Sequence, residues 1–147
     1  EKNFERLGRA ALPASAGTGM PLTEISEREY VYLRVNRDVC RADEVITVNG
    51  DSMLPTFMDG DELLVEHTEA LEPGEIGVFV VAGEGYVKEY QRDGLHSHNP
   101  KYKTIRPTED DNIHCIGRVL GAVDDNWRAT PEEQVVLDEI HSSMKHK

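Results

Sequence analysis

Val48-Asn49-Gly50-Asp51-Ser52-Met53-Leu54-Pro55-Thr56-Phe57-Met58-Asp59-Gly60-Asp61 holds one serine in a tight Gly-Asp-Ser-Met-x-Pro turn, and Tyr86-Val87-Lys88 downstream holds one lysine in an apolar strand. A serine hydroxyl is a poor nucleophile until a base removes its proton. A lysine serves as that base only when burial lowers its pKa enough for the neutral amine to exist near neutral pH. Tyr86-Val87-Lys88-Glu89-Tyr90 alternates, which places Lys88 on the same face as Tyr86 and Tyr90. An aromatic face is the one a sheet buries, so the pattern expects a partly desolvated amine. The plainer readings are a serine hydrogen-bonded in its own turn and a lysine on an exposed strand.

Outward from this stretch the chain reads as mainly β. Short apolar or alternating runs at Tyr30–Val35, Val45–Val48, Glu62–Val65, Ile76–Val81, Tyr86–Tyr90, Leu95–Ser97 and Ile113–Val123 are candidate strands. Turn formers separate them: Asp59-Gly60-Asp61, Glu72-Pro73-Gly74, Gly83-Glu84-Gly85, Arg92-Asp93-Gly94 and Asn99-Pro100. Such spacing predicts a sandwich or a partly open barrel. Thr130-Pro131-Glu132-Glu133 then has the form of a capping box with proline at the first helical position. Val136, Ile140 and Met144 recur every fourth residue behind it, so a helix over Pro131–Met144 is expected to pack through those three. Residues 1–23, rich in Ala, Gly, Pro and Ser, read as a linker; 24–125 form the main domain and 126–147 a helical extension.

Composition narrows the function. The chain has 147 residues and a net charge of −12, which disfavours direct contact with nucleic acid, because phosphates need Lys and Arg. No apolar run approaches the length of a membrane span, and no signal peptide is visible. A cytoplasmic protein is therefore expected. The first residue is Glu1 rather than Met, which reads as a fragment of a longer protein. Cys40 and Cys115 are too few for a secreted disulfide framework and read as reduced thiols, with a bridge between them left open.

Four segments together resemble the LexA-like self-cleaving repressors, whose catalytic fold is shared with the signal peptidases. They are Ala14-Ser15-Ala16-Gly17-Thr18-Gly19, the serine turn, Tyr86-Val87-Lys88-Glu89-Tyr90, and Leu95-His96-Ser97-His98-Asn99-Pro100-Lys101-Tyr102 followed by Ile116-Gly117-Arg118-Val119. The resemblance runs from about Ala14 to Asp124 and implies a LexA/signal-peptidase-like β domain with a C-terminal helix. It implies a catalytic pair of Ser52 and Lys88, oxyanion donors at the backbone of Asp51 and Ser52, and a scissile bond between Ala16 and Gly17. It also implies a homodimer, stimulation by an activated RecA filament, and operator DNA bound only through an upstream helix-turn-helix domain. No cofactor, metal or membrane contact is expected. The missing membrane span argues against a signal peptidase.

Other constellations have plainer readings. His96 and His98 are not read as a metal pair, since no third ligand has suitable spacing. Asp51, Asp59 and Asp61 are read as turn chemistry. Ala82-Gly83 repeats the Ala-Gly pair, but it falls in a predicted hairpin. Two further function classes stay open: a UmuD-type self-cleaving subunit of a translesion polymerase, and a non-cleaving dimeric regulatory module.

Overall fold

The protein is described by a computed structural model over residues 3–11, 29–107 and 112–145. Its eight strands are β1 (Phe4–Ala11), β2 (Glu29–Arg34), β3 (Glu44–Thr47), β4 (Glu62–His67), β5 (Ile76–Val81), β6 (Glu84–Gln91), β7 (Gly94–His96) and β8 (Ile113–Ala122), followed by the helix α1 (Pro131–Lys145). They form one mixed sheet in the order β2-β1-β3-β4-β8-β5-β6-β7. Only β1 and β3 run parallel; the other neighbours are antiparallel.

The centre of the sheet is buried on both faces. Val45-Ile46 of β3 and Leu63-Leu64-Val65 of β4 are apolar without a break, and each of these five side chains is fully buried. Alternation then divides them. Val45 and Leu64 join Leu7, Val31, Leu33 and Val39 in one cluster. Ile46, Leu63 and Val65 join Val78, Val87, Met53 and Phe57 in the other. The second cluster matters for function, because Met53 and Phe57 flank the far side of the serine turn. Met53 directly follows Ser52 and is only 1% exposed. Burying a side chain of this size is worth about 1.5–3 kcal/mol, so the turn is pinned to the core beside its serine.

The expected strands are all present, with ends shifted by a few residues. Ala82-Gly83 is the two-residue turn between β5 and β6, and both residues have positive φ, 51° and 85°. That is the backbone a tight hairpin turn requires. Two expectations change. Residues 4–11, read as linker, form β1 between β2 and β3. Its Leu7 and Ala10 are buried, and its Arg9 pairs with Glu29 at 2.9 Å and Glu62 at 2.8 Å. All of those partners are distant in sequence, so composition gave no hint of a strand.

The helix begins where the capping box places it. Glu133 N–H donates to Thr130 Oγ1 at 3.1 Å, and Thr130 N–H donates to Glu133 Oε1 at 2.9 Å. Its packing face differs from the expected one. Leu137 is buried and Ile140 half-buried, whereas Val136 and Met144 are 56% and 68% exposed. At 3.6 residues per turn, steps of four drift by about 40° each, so Val136 and Met144 diverge around the helix. Polar contacts fix the orientation instead. Tyr32 OH donates to Asp138 at 2.8 Å, and Arg34 pairs with Glu133 at 3.1 Å, both from β2.

Candidate active site

The serine turn leaves β3 and returns to β4. Its base is closed by Val48 N–H to Asp61 O at 2.8 Å and Gly60 N–H to Val48 O at 2.9 Å. Asp59 accepts from Gly50 N–H at 2.7 Å and Asp61 accepts from Met58 N–H at 2.8 Å. These two carboxylates do the turn chemistry expected of them. Gly50 sits at φ 102°, a conformation that favours glycine. The Leu54–Pro55 peptide bond is cis.

Asp51 has a different task from Asp59 and Asp61. Its carboxylate accepts from the Tyr102 hydroxyl, with Lys101 Nζ 4.0 Å away. The Tyr102 bond holds the Asp51 carboxyl below the usual carboxylate range. The Ser52 N–H has no acceptor among the described residues. Asn99 completes the clamp. Its N–H donates to Ser52 O at 2.9 Å, and its side-chain amide donates to Asp51 O at 3.0 Å. The segment after β7 thus holds the serine turn by its backbone carbonyls.

Lys88 is on β6 and is 4% exposed. Its Nζ donates to Ser97 Oγ at 2.7 Å. The rings of Tyr86 and Tyr102 lie 5.5 and 5.8 Å from it. The second ring is therefore Tyr102 rather than Tyr90 of the alternating strand. Among the described residues no carboxylate forms an ion pair with Lys88. Burial pushes its pKa down, as removing a charged amine from water must do. The two rings lie within cation–π range of the amine and favour its charged form.

Ser52 and Lys88 line one cavity of about 110 Å³, together with Met53, Tyr86, Val87 and Tyr102. An apolar cavity of roughly 150 Å³ takes benzene, so this one suits a small side chain. No hydrogen bond joins Ser52 Oγ to Lys88 Nζ; the amine bonds Ser97 instead. Catalytic contacts are often open before substrate arrives. Ala16 and Gly17 lie outside the described residues.

Ser97, Asn99 and Tyr102 were given no role by sequence reasoning, though all three fall in the quoted Leu95–Tyr102 segment. The available signal was a run of polar side chains directly after a short strand that pairs with the lysine strand.

The chain matches the Peptidase S24-like family over residues 11–120. It is 37% identical over 84 residues to a protein named LexA repressor from Ruegeria sp. (strain TM1040), covering 53% of this chain and 34% of that protein. It is 33% identical over 84 residues to a LexA repressor from Acidothermus cellulolyticus (strain ATCC 43068 / DSM 8971 / 11B), covering 54% and 30%. The chain thus spans about a third of the length of these relatives. With the family match extending across both the serine turn and the lysine strand, the chain belongs to the Peptidase S24-like family.

Proposed function

We propose that this domain is a serine–lysine peptidase that cuts its own chain between Ala16 and Gly17. The observation that carries the reading is the environment of Lys88: buried, without a carboxylate partner among the described residues, and in the same cavity as Ser52. Neutral Lys88 takes the Ser52 proton, and Ser52 Oγ attacks the Ala16 carbonyl carbon. The Ser52 N–H, free of other acceptors among the described residues, receives the developing oxyanion together with the Asp51 N–H. Protonated Lys88 then gives its proton to the Gly17 nitrogen as the peptide C–N bond breaks. Water, deprotonated by Lys88, attacks the acyl carbon; the C–Oγ bond breaks and Lys88 returns the proton to Ser52 Oγ. Ser97 accepts one amine hydrogen of Lys88 and so restrains the amine within the cavity it shares with Ser52.

Topology permits cleavage within one chain. β1 runs parallel to β3, with Ala11 level with Thr47. Ser52 is five residues beyond Thr47, and Ala16 is five residues beyond Ala11. Five residues reach at most about 18 Å, so each arm is long enough for the bond and the nucleophile to meet within one chain. The small cavity agrees with an alanine at the cut.

In the organism we read the cleavage as the inactivation step of a dimeric, cytoplasmic repressor. The LexA repressors it resembles supply that role, and the resemblance adds operator binding by an upstream domain and stimulation by a RecA filament. Separating a dimerising half from a DNA-binding half removes the coupling between half-sites, and with it most of the operator affinity. The net charge of −12 agrees with a domain that does not touch DNA itself. Incubation of the purified chain at alkaline pH, followed by intact-mass analysis, tests the reading. Wild type yields a break after Ala16 and Ser52→Ala stays whole. A break elsewhere, or cleavage in the variant, overturns the assignment.

A further inference from the structure

His98 is engaged at both ring nitrogens. Nε2 meets Glu89 Oε1 of β6 at 2.8 Å. Nδ1 meets the hydroxyl of Thr56, on the serine turn. Glu89 is held in turn by the side-chain amide of Gln91. Glu89 directly follows Lys88, His98 directly follows Ser97, and Thr56 lies four residues after Ser52. The three groups therefore run from the strand that carries the lysine to the turn that carries the serine.

This tie is made where packing gives no help. Met53 and Phe57 are buried, but Pro55 and Thr56 between them are exposed. Asn99 holds the near arm of the turn through Asp51 O and Ser52 O, and His98 holds the far arm through Thr56. The imidazole can make both bonds in either protonation state. When neutral, Nε2–H donates to Glu89 and Nδ1 accepts the Thr56 hydroxyl hydrogen; when charged, both nitrogens donate. A hydroxyl, an imidazole and a carboxylate in this order also activate nucleophiles. Here Thr56 is outside the cavity lined by Ser52 and Lys88, so the arrangement serves position rather than a second chemistry.

We propose that His98 is a positioning residue: anchored on Glu89 beside Lys88, it fixes the serine turn through Thr56 and so sets the approach of Ser52 to the lysine amine. The inference rests on the Ser52–Lys88 reading and adds a residue pair that acts on its geometry. A misplacement of about 1 Å costs on the order of 100-fold in rate, which sets the scale of the effect.

The test measures self-cleavage of the intact chain against pH for wild type, Thr56→Val, Thr56→Ser, His98→Ala and the Thr56→Val/His98→Ala double variant, with Ser52→Ala alongside. Thr56→Val and His98→Ala should each lower the plateau rate roughly 10- to 100-fold, and Thr56→Ser, which keeps the hydroxyl, should stay near wild type. The double variant should be no slower than the slower single, because both remove one link. The pH of half-maximal rate should not move, since the surroundings of Lys88 are untouched. Amide exchange at Phe57, whose N–H bonds Met53 O within the turn, should accelerate in both single variants without general loss of protection. Wild-type rates with unchanged Phe57 exchange, multiplying effects in the double variant, or a shifted half-maximal pH would each overturn the proposal. Cleavage by Ser52→Ala would instead overturn the dyad, and the exchange measurement would still decide whether the tie holds the turn.

Discussion

Three arginines, Arg9, Arg118 and Arg128, and the lysine of the cavity are treated in opposite ways. Arg9 pairs with Glu29 and Glu62, Arg118 with Glu66 and Glu75, and Arg128 with Glu62 and Asp125. Each has two carboxylates, and each side chain is about a third exposed or less, at 30, 27 and 31%. Lys88 is far more buried than any of them and has a hydroxyl where they have acids. In a chain with 28 acidic residues against 16 basic ones, that exclusion is not the default. The guanidinium groups stay charged in any case, and their acids compensate them; for Lys88, burial without such an acid among the described residues makes the charged ammonium costly. The paired arginines and the buried amine of the cavity thus differ both in depth and, among the described residues, in what faces them.

The strongest way to break the contrast is to put a permanent cation in the cavity. Lys88→Arg cannot deprotonate. Self-cleavage should fall by several orders of magnitude, as for loss of any covalent-catalysis partner, and the domain should still melt cooperatively. Intact-mass analysis over days reads this directly, and cleavage at a rate near wild type would exclude a lysine base.

A subtler break gives Lys88 the partner that the arginines have. Ser97→Asp places a carboxylate where Ser97 Oγ accepts from Nζ. An adjacent opposite charge shifts a pKa by about 1–3 units toward the charged form. The rise of the cleavage rate with pH should therefore move to higher pH by one unit or more, while the plateau is approached only under strongly alkaline conditions. An unmoved pH profile would show that the missing acid does not set the titration.

The same contrast appears in stability. The folded pKa of Lys88 is lowered by burial, so between that value and about 10.4 the unfolded chain binds a proton that the folded chain does not. Unfolding free energy then rises with pH across that window. Below it the full cost of burying the ammonium is present. Lys88→Met, apolar and of similar length, should melt higher than wild type at neutral pH, and the gap should close as pH approaches about 10. Paired melting curves at several pH values check this. A constant gap would mean that packing, not titration, separates the two proteins.

How much of this was legible depends on the range of the interactions. The serine turn, the lysine strand and the capping box are local patterns, and each is where its residues placed it. β1 was missed because Phe4–Ala11 is held by Glu29–Arg34, Glu44–Thr47 and Glu62, none of them near in sequence. The helix face was misassigned for a similar reason. Its orientation follows Tyr32–Asp138 and Arg34–Glu133, polar contacts to a distant strand that outweigh a weak apolar stripe. At the site, burial of Lys88 was readable from Tyr86 on the same face. Its partner Ser97 and its second ring Tyr102 were not, because they arrive from a segment beyond β7 that has no periodicity to read.

The smallest expected effect lies on the paired side. Glu62 serves both Arg9 and Arg128, and its side chain is only 12% exposed. Glu62→Gln keeps the shape and removes the charge. Arg9 retains Glu29 and Arg128 retains Asp125, and both of those acids are largely exposed, so neither guanidinium is stranded. The loss should be about 1 kcal/mol, between the value of an exposed pair and that of a charged hydrogen bond. For a domain of this size that is a melting shift of roughly 2–8 °C. The cleavage rate and its pH dependence should stay as in wild type, since Glu62 does not line the cavity. Thermal melts and the pH–rate profile on one preparation check both halves. If Glu62→Gln moved the half-maximal pH of cleavage, the paired arginines would belong to the electrostatics of Lys88 after all. The division between the paired arginines and the buried amine would then fail.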